Sequence, residues 1–331
     1  MDPKLSLYTG EEIDQERFAD FLFASKAAYS FPSRPLISLL LQQFLTTDHE
    51  VVLAEKEGEI VGSLLLSYAS TENTHAYFGH YEISPEEKNR ETVAQRVIDF
   101  AEKRVRERGK SILYGPIDFN TWLNNRFKVN LTSIDFPWEP LNPRVYLKDF
   151  LAAGFDRDME YVSNIYSTLS TFLKNSQKAY DRCVKGGFSF RNINIHDEEE
   201  RRRLYDINRE SFSANYLYGP ISYEQYTNFH LRIASQQDLS YSCFVTKEGR
   251  EVGLLYAFVS LDHLIIKSLL VRPEARQSGL AAALVHEGIK RARADGVQKC
   301  VGALVRKGNA SEKLFSYFEQ DPIQHSYTLL R

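Results

Sequence analysis

The chain has 331 residues, 43% hydrophobic and 26% charged, the make-up of a soluble globular protein long enough for two domains. A formal net charge of −3 excludes the broad basic surface that nucleic-acid binding needs. The longest apolar cluster, Leu36–Leu41, is far too short to span a bilayer.

The start, M-D-P-K-L-S, lacks the basic-then-apolar order of a signal peptide. Cys183, Cys243 and Cys300 are far apart, odd in number and form no C-x-x-C pair, so the expectation is three reduced core thiols in a cytoplasmic protein. No histidine or cysteine has a partner at metal-ligand spacing, and no metal is expected.

Residues 11–30 and 33–46 read as helices, and the runs near 50–56, 60–68 and 75–83 as strands. A charged helix from about 86 ends at Gly109, and 111–115 is a strand. The stretch 116–144, rich in Pro, Asn and Trp without a clear hydrophobic period, reads as an irregular loop. A helix over 146–153 stops at Gly154, and 160–168 is a strand. Residues 170–187, ending in Gly186-Gly187, read as a linker between a domain over 1–169 and another over 188–331. The second domain opens with a strand (188–193) and helices near 197–215 and 222–236. A meander follows at 241–246, 252–260 and 263–271. Then come a helix to Ala294, a strand at 297–305, a helix opened by Asn309 and a last strand at 325–330. Helices alternating with a mixed, mostly antiparallel sheet make the class α/β.

Two stretches repeat. Lys56-Glu57-Gly58 with Val61-Gly62 recurs 191 positions later as Lys247-Glu248-Gly249 with Val252-Gly253. Ser84-Pro85-Glu86 aligns with Arg272-Pro273-Glu274 at a spacing of 188. The chain therefore reads as two copies of one α/β unit. They differ after the shared Pro-Glu, where the second has Arg276-Gln277-Ser278-Gly279-Leu280-Ala281 and the first has Lys88-Asn89-Arg90-Glu91-Thr92-Val93.

The second version is strand, tight loop, helix start. The first N–H groups of a helix have no internal partner and hold anions well. Gly279 lacks a Cβ, which suits close approach of a phosphate, and Arg276 adds a forked cation. The loop is suited to a diphosphate. Its single glycine does not satisfy G-x-G-x-x-G. Gly109-Lys110-Ser111 resembles the end of a P-loop, but Arg104 stands where that motif needs glycine. In the first copy Glu91 sets a carboxylate where the glycine would be, so that copy is expected not to bind such a ligand.

Val271, Pro273, Arg276, Gly279 and Ala281 fall on V-x-P-x-x-[RQ]-x-x-G-x-[GA], the acyl-CoA loop of the GNAT (Gcn5-related) N-acetyltransferases. With its flanking elements, the segment resembles that family. The resemblance implies two tandem GNAT-like units, the first degenerate, and acetyl-CoA as acyl donor. It implies donor-binding residues Leu269, Leu270, Val271, Arg276, Gln277, Ser278, Gly279, Leu280, Ala281 and Asn309, with a backbone N–H near Leu270 polarising the thioester carbonyl. It implies transfer of acetyl, or another acyl group, to a small-molecule or peptide amine by direct attack on the thioester. The family's tyrosine acid sits seven residues after the helix-opening asparagine. Here that position is Ser316 and the tyrosine is Tyr317, so both are candidates for the acid. Glu210 and Asp262 are candidates for the base. Phe212, Tyr216, Tyr218, Tyr223 and Tyr226 are candidates for an aromatic acceptor wall. A non-catalytic acyl-CoA sensor or interaction scaffold is the alternative. Membrane and nucleic-acid partners are not expected, and the oligomeric state is open.

Overall fold

The computed structural model describes residues 2–70, 72–130, 132–316, 318 and 321–331, and of Ser316 the backbone alone. The chain forms two compact units. The first is Met1–Glu160 with Tyr216–Ile221 and Tyr327–Arg331; the second is Tyr161–Asn215 with Ser222–Ser326.

The first unit holds a sheet in the order β1-β2-β3-β4-β5 (Lys4–Thr9, His49–Lys56, Glu59–Ser67, His75–Ile83, Ile112–Tyr114). Asp14 caps α1 (Gln15–Ala27) by accepting from Arg17 N at 3.0 Å. Pro35 fits the first turn of α2 (Arg34–Phe44), where its missing N–H costs nothing. Val93, Ala94, Val97, Ile98, Ala101 and Val105 recur at helical spacing along α3 (Arg90–Glu107) and bury against the sheet. The expected loop over 116–144 is irregular apart from β6 (Phe127–Lys128), and α4 (Arg144–Ala152) follows it. β1 was not expected from sequence. The last residues of the chain close this unit: Leu330 exchanges backbone hydrogen bonds with Gly115 and is fully buried.

The second unit takes in part of β7 (Arg157–Tyr166) and of β13 (Ile323–Leu330). Its sheet runs in the order β8 (Phe188–Arg191), β9 (Cys243–Lys247), β10 (Arg250–Ser260), β11 (His263–Val271), β12 (Lys299–Arg306), β7. One side is covered by α9 (Leu280–Ala294) and by α5 (Ser170–Lys185). The segment read as a linker is thus mostly a helix of this unit, and the first division between units falls at Glu160/Tyr161. The signal was weak because a serine, Ser176, holds a buried position on its inner face. Also present are α6 (Glu198–Phe212), then α7 (Tyr223–Gln225) continuing through a π-helical stretch (Tyr226–Leu231) into α8 (Arg232–Ala234), and α10 (Ala310–Ser316). Cys183, Cys243 and Cys300 are buried free thiols of this core.

The internal repeat is structural. Both K-E-G turns use the same conformation, Glu57 and Glu248 at φ 53° and Gly58 and Gly249 at φ 87° and 79°. Gly62 pairs with Ile83 as Gly253 pairs with Val271, and β4 pairs parallel with β5 as β11 does with β12.

Candidate functional site

The parallel pairing of β11 with β12 runs only from His263↔Lys299 to Ile266↔Gly302. β11 continues to Val271, while β12 pairs onward with β7 at Val305↔Val162 and Arg306↔Tyr161. The two strands therefore splay beyond Ile266, leaving the β12-side edge of β11 from Ser268 to Val271 without a neighbouring strand among the described residues. Arg272 N donates to Val252 O on β10 at 2.9 Å. Because antiparallel pairs alternate, Leu270 also turns its N–H to β10, and Leu269 and Val271 turn theirs to the open side. The expected donor near Leu270 is thus one of its neighbours, since the outward-facing backbone donors are those of Leu269 and Val271.

The loop begins where β11 ends. Pro273–Ala275 forms a turn of 3₁₀ helix, Gln277 lies at φ 64°, and Gly279, at φ 85°, is the residue before α9. Among the described residues the N–H groups of Gln277, Ser278, Gly279, Ala281 and Ala282 donate no hydrogen bond, and Leu280 N reaches only its neighbour's Ser278 Oγ at 3.3 Å. Arg276 is exposed, its Nε 3.4 Å from Val271 O. The result is a ring of bare donors beside an exposed guanidinium, which suits a phosphate. The backbone itself also calls for glycine here. A Cβ on Gly279 would meet Ala179 of α5 at 3.4 Å, an ordinary contact, whereas the left-handed backbone at φ 85° favours glycine.

A bulge lies at the vertex of the splay. The register jumps from Tyr256↔Ser268 to Ala257↔Ile266. Ile266 and Leu269, three residues apart, both pack into the core under α5 and α9. In a regular strand they would face opposite ways, so the extra residue turns Lys267 and Ser268 to the other face. Burial, reinforced by the charge of Lys267, lowers the imidazole of His230, in the π-helical stretch, to about 4.

The candidate catalytic side chains are scattered. Glu210, on α6, is ion-paired with Arg272 at the start of the loop. Asp262 sits in the β10–β11 turn, at the closed end of the strand. There Lys299 Nζ at 2.9 Å and His263 Nδ1 at 2.7 Å engage it, Lys299 holding its carboxyl below the usual range. Ser316 is the last residue of α10 and its side chain is not described; Tyr317 lies outside the described residues. Asn309 caps α10, its Oδ1 accepting from Glu312 N at 2.9 Å. The aromatic segment divides between the units. Tyr216 and Tyr218 belong to the first, where Tyr216 donates to Asp158 and Tyr218 packs near Trp122; Tyr223 and Tyr226 stay in the second beside Tyr205. Among the described residues no group of three or more His, Cys, Asp or Glu is placed to hold a metal, and no helix is long and apolar enough to cross a membrane.

The first unit repeats the bulge, with Phe78 and Tyr81 in one core and His80 at φ 42°, but fills the corresponding edge from within. Ile83 N, the counterpart of Val271 N, donates to Tyr146 OH at 3.0 Å, and His80 N donates to Asp118 Oδ1 at 2.7 Å. Ahead of α3, Asn89 N donates to Glu87 at 2.7 Å, and the Lys56 ammonium beside that carboxyl holds it below the usual range. Glu91, expected to repel a ligand, is exposed in the first turn of α3.

Residues 201–316 match the model of the acetyltransferase (GNAT) family. The fold of the whole chain is similar to solved structures at low sequence identity. A tandem GNAT protein from the clavulanic acid biosynthesis pathway is 13% identical with a TM-score of 0.59, over 99% of this chain and 98% of that one. A conserved protein of Enterococcus faecalis V583, described as a probable N-acyltransferase, is 9% identical with a TM-score of 0.60, over 100% and 73%. A GCN5-related N-acetyltransferase from Sphaerobacter thermophilus is 12% identical with a TM-score of 0.51, over 99% and 94%. No protein of curated function matches the sequence.

Proposed function

Because residues 201–316 are a domain of the acetyltransferase (GNAT) family within a chain folded as two tandem GNAT units, we propose that the second unit is an N-acyltransferase using acyl-CoA. The observation that carries this reading is the open edge of β11 beside the unpartnered loop amides, set against the first unit, where Tyr146, Asp118 and Glu87 occupy the corresponding groups. The loop amides and Arg276 take the diphosphate. Pantetheine lies along β11 as an added strand, bonded to the backbone of Leu269 and Val271. The N–H of Leu269, the nearer of the two to the vertex, polarises the thioester carbonyl. A neutral amine attacks the carbonyl carbon from the face onto which the bulge turns Lys267 and Ser268. The C–S bond breaks, the amine loses a proton, and the thiolate gains one. Tyr317 or Ser316 is the candidate proton donor. Glu210, beside the loop, is the better placed candidate base, since Asp262 lies at the closed end of β11. The acceptor is a small-molecule or peptide amine, and the setting is the cytoplasm.

Isothermal calorimetry with acetyl-CoA, followed by thiol release in the presence of amines, tests the proposal. Micromolar binding with amine-dependent thiol release supports it; no heat with any CoA thioester ends it. Binding without release for any amine favours the sensor reading, which the engagement of both candidate carboxylates in ion pairs supports.

A further inference from the structure

Helix α5 lies outside the stretch 201–316 that matches the family, and it reaches the phosphate loop. Ala179 Cβ lies 3.4 Å, and Arg182 Nη2 4.0 Å, from the position a Cβ on Gly279 would take. The Cys183 thiol, one residue on, is 3.8 Å from Ser278 O. Ala179, Arg182 and Cys183 thus set one face of α5 against the loop at Ser278 and Gly279.

The helix is held in place along its length. Ser176 Oγ is 2.9 Å from His286 Nδ1, Tyr180 OH donates to Glu287 at 2.9 Å, and the Tyr180 ring stacks on His286 with centroids 4.5 Å apart. Arg182 is therefore no wandering surface side chain: its backbone is fixed beside Gly279. Its guanidinium is exposed and makes no hydrogen bond or ion pair among the described residues. Asp181, next in sequence, points about 100° around the helix and accepts from Gln177 at 2.9 Å. Lys178, one turn back on the side of Arg182, is also exposed.

We propose that Arg182 is a phosphate ligand of the acyl-CoA, so that α5 supplies a wall of the cradle that the matched domain does not contain. The inference rests on the acyl-CoA reading of the second unit. An anion on the bare amides at Gln277–Gly279 would have Arg276 on the loop and Arg182 on α5 as its two cations, and a forked guanidinium suits either the diphosphate or the ribose 3′-phosphate.

The test is calorimetry on the full chain with acetyl-CoA and with 3′-dephospho-acetyl-CoA, for wild type, Arg182→Gln and Arg182→Lys. The expected result is about tenfold weaker acetyl-CoA binding by the Gln variant, with a shallower salt dependence and an unchanged melting temperature, and partial recovery with Lys. Equal weakening for both ligands assigns Arg182 to the diphosphate; weakening for acetyl-CoA alone assigns it to the 3′-phosphate. If Arg182→Gln binds both ligands as wild type does, the inference is overturned while the acyl-CoA reading stands. If wild type binds neither, that reading fails and this one with it.

Discussion

Gly279 carries two demands that separate by substitution. Its φ of 85° costs an L-residue about 1 kcal/mol, while a Cβ has room against Ala179. Gly279→Ala should therefore lower stability by about 1 kcal/mol and leave acetyl-CoA binding within a few-fold. Gly279→Glu should abolish binding without unfolding the chain, since it sets a carboxylate among the anion-binding amides and beside Arg182. Chemical denaturation and calorimetry read the two effects separately, and normal binding by the Glu variant would remove the loop from the site. Glu50 is a second case where one side chain decides a property. Its burial disfavours the charged form, but hydrogen bonds from Arg104, Arg108 and Tyr68 outweigh that and lower its carboxyl to about 2. The folded value lies below the ordinary 4.5, so the stabilisation is full above pH 4.5 and is lost as pH falls towards 2. Glu50→Gln should flatten the melting temperature over that range, and an unchanged slope would refute the assignment.

At the scale of elements, the strand edges separate the two units more sharply than any single residue does. Both contain the bulge, yet among the described residues β11 keeps its edge open while the chain after β5 stays beside β4, Ile117 N donating to Phe78 O at 2.6 Å. In the first unit Tyr146 of α4 accepts from Ile83 N and donates to Glu82 at 3.1 Å. Tyr146→Phe should cost about 1–3 kcal/mol, because it leaves buried groups unpaired, and should create no acetyl-CoA binding, because Asp118 and Glu87 still fill the remaining positions. A gain of a second CoA site in calorimetry would contradict this account. Asn309 belongs here too. As the cap of α10 it should cost about 1 kcal/mol on change to Ala, visible by urea denaturation whether or not it touches the donor. The elements with strong periodicity, α3, α9 and β9 to β11, were legible in the sequence within a few residues. β1 was missed because a short edge strand carries little pattern, and α5 because its polar inner residue and the Gly186-Gly187 stop imitate a linker.

For the whole molecule, three histidines set a shared acid response. Burial lowers His49 and His80 to about 4, and burial with the charge of Lys267 does the same to His230. Each folded value lies below the ordinary 6.5. The stabilisation is complete above pH 6.5 and is lost as pH falls towards 4, where the unfolded chain takes up protons that the fold refuses. The melting temperature should fall across this interval, and the double variant His49→Gln, His80→Asn should show a shallower fall; an identical profile would discount these two. By itself the sequence determined the α/β class, the duplication and the strand, loop and helix start around Gly279, since these depend on local periodicity, turn residues and residues near one another in the chain. Tertiary structure alone decided that β11 keeps a free edge while β4 is plugged, that α5 reaches Gly279, that the last five residues complete the first unit, and which face Lys267 takes. Those outcomes depend on which distant segments meet and on one inserted residue in a strand, and no local pattern of side chains encodes either.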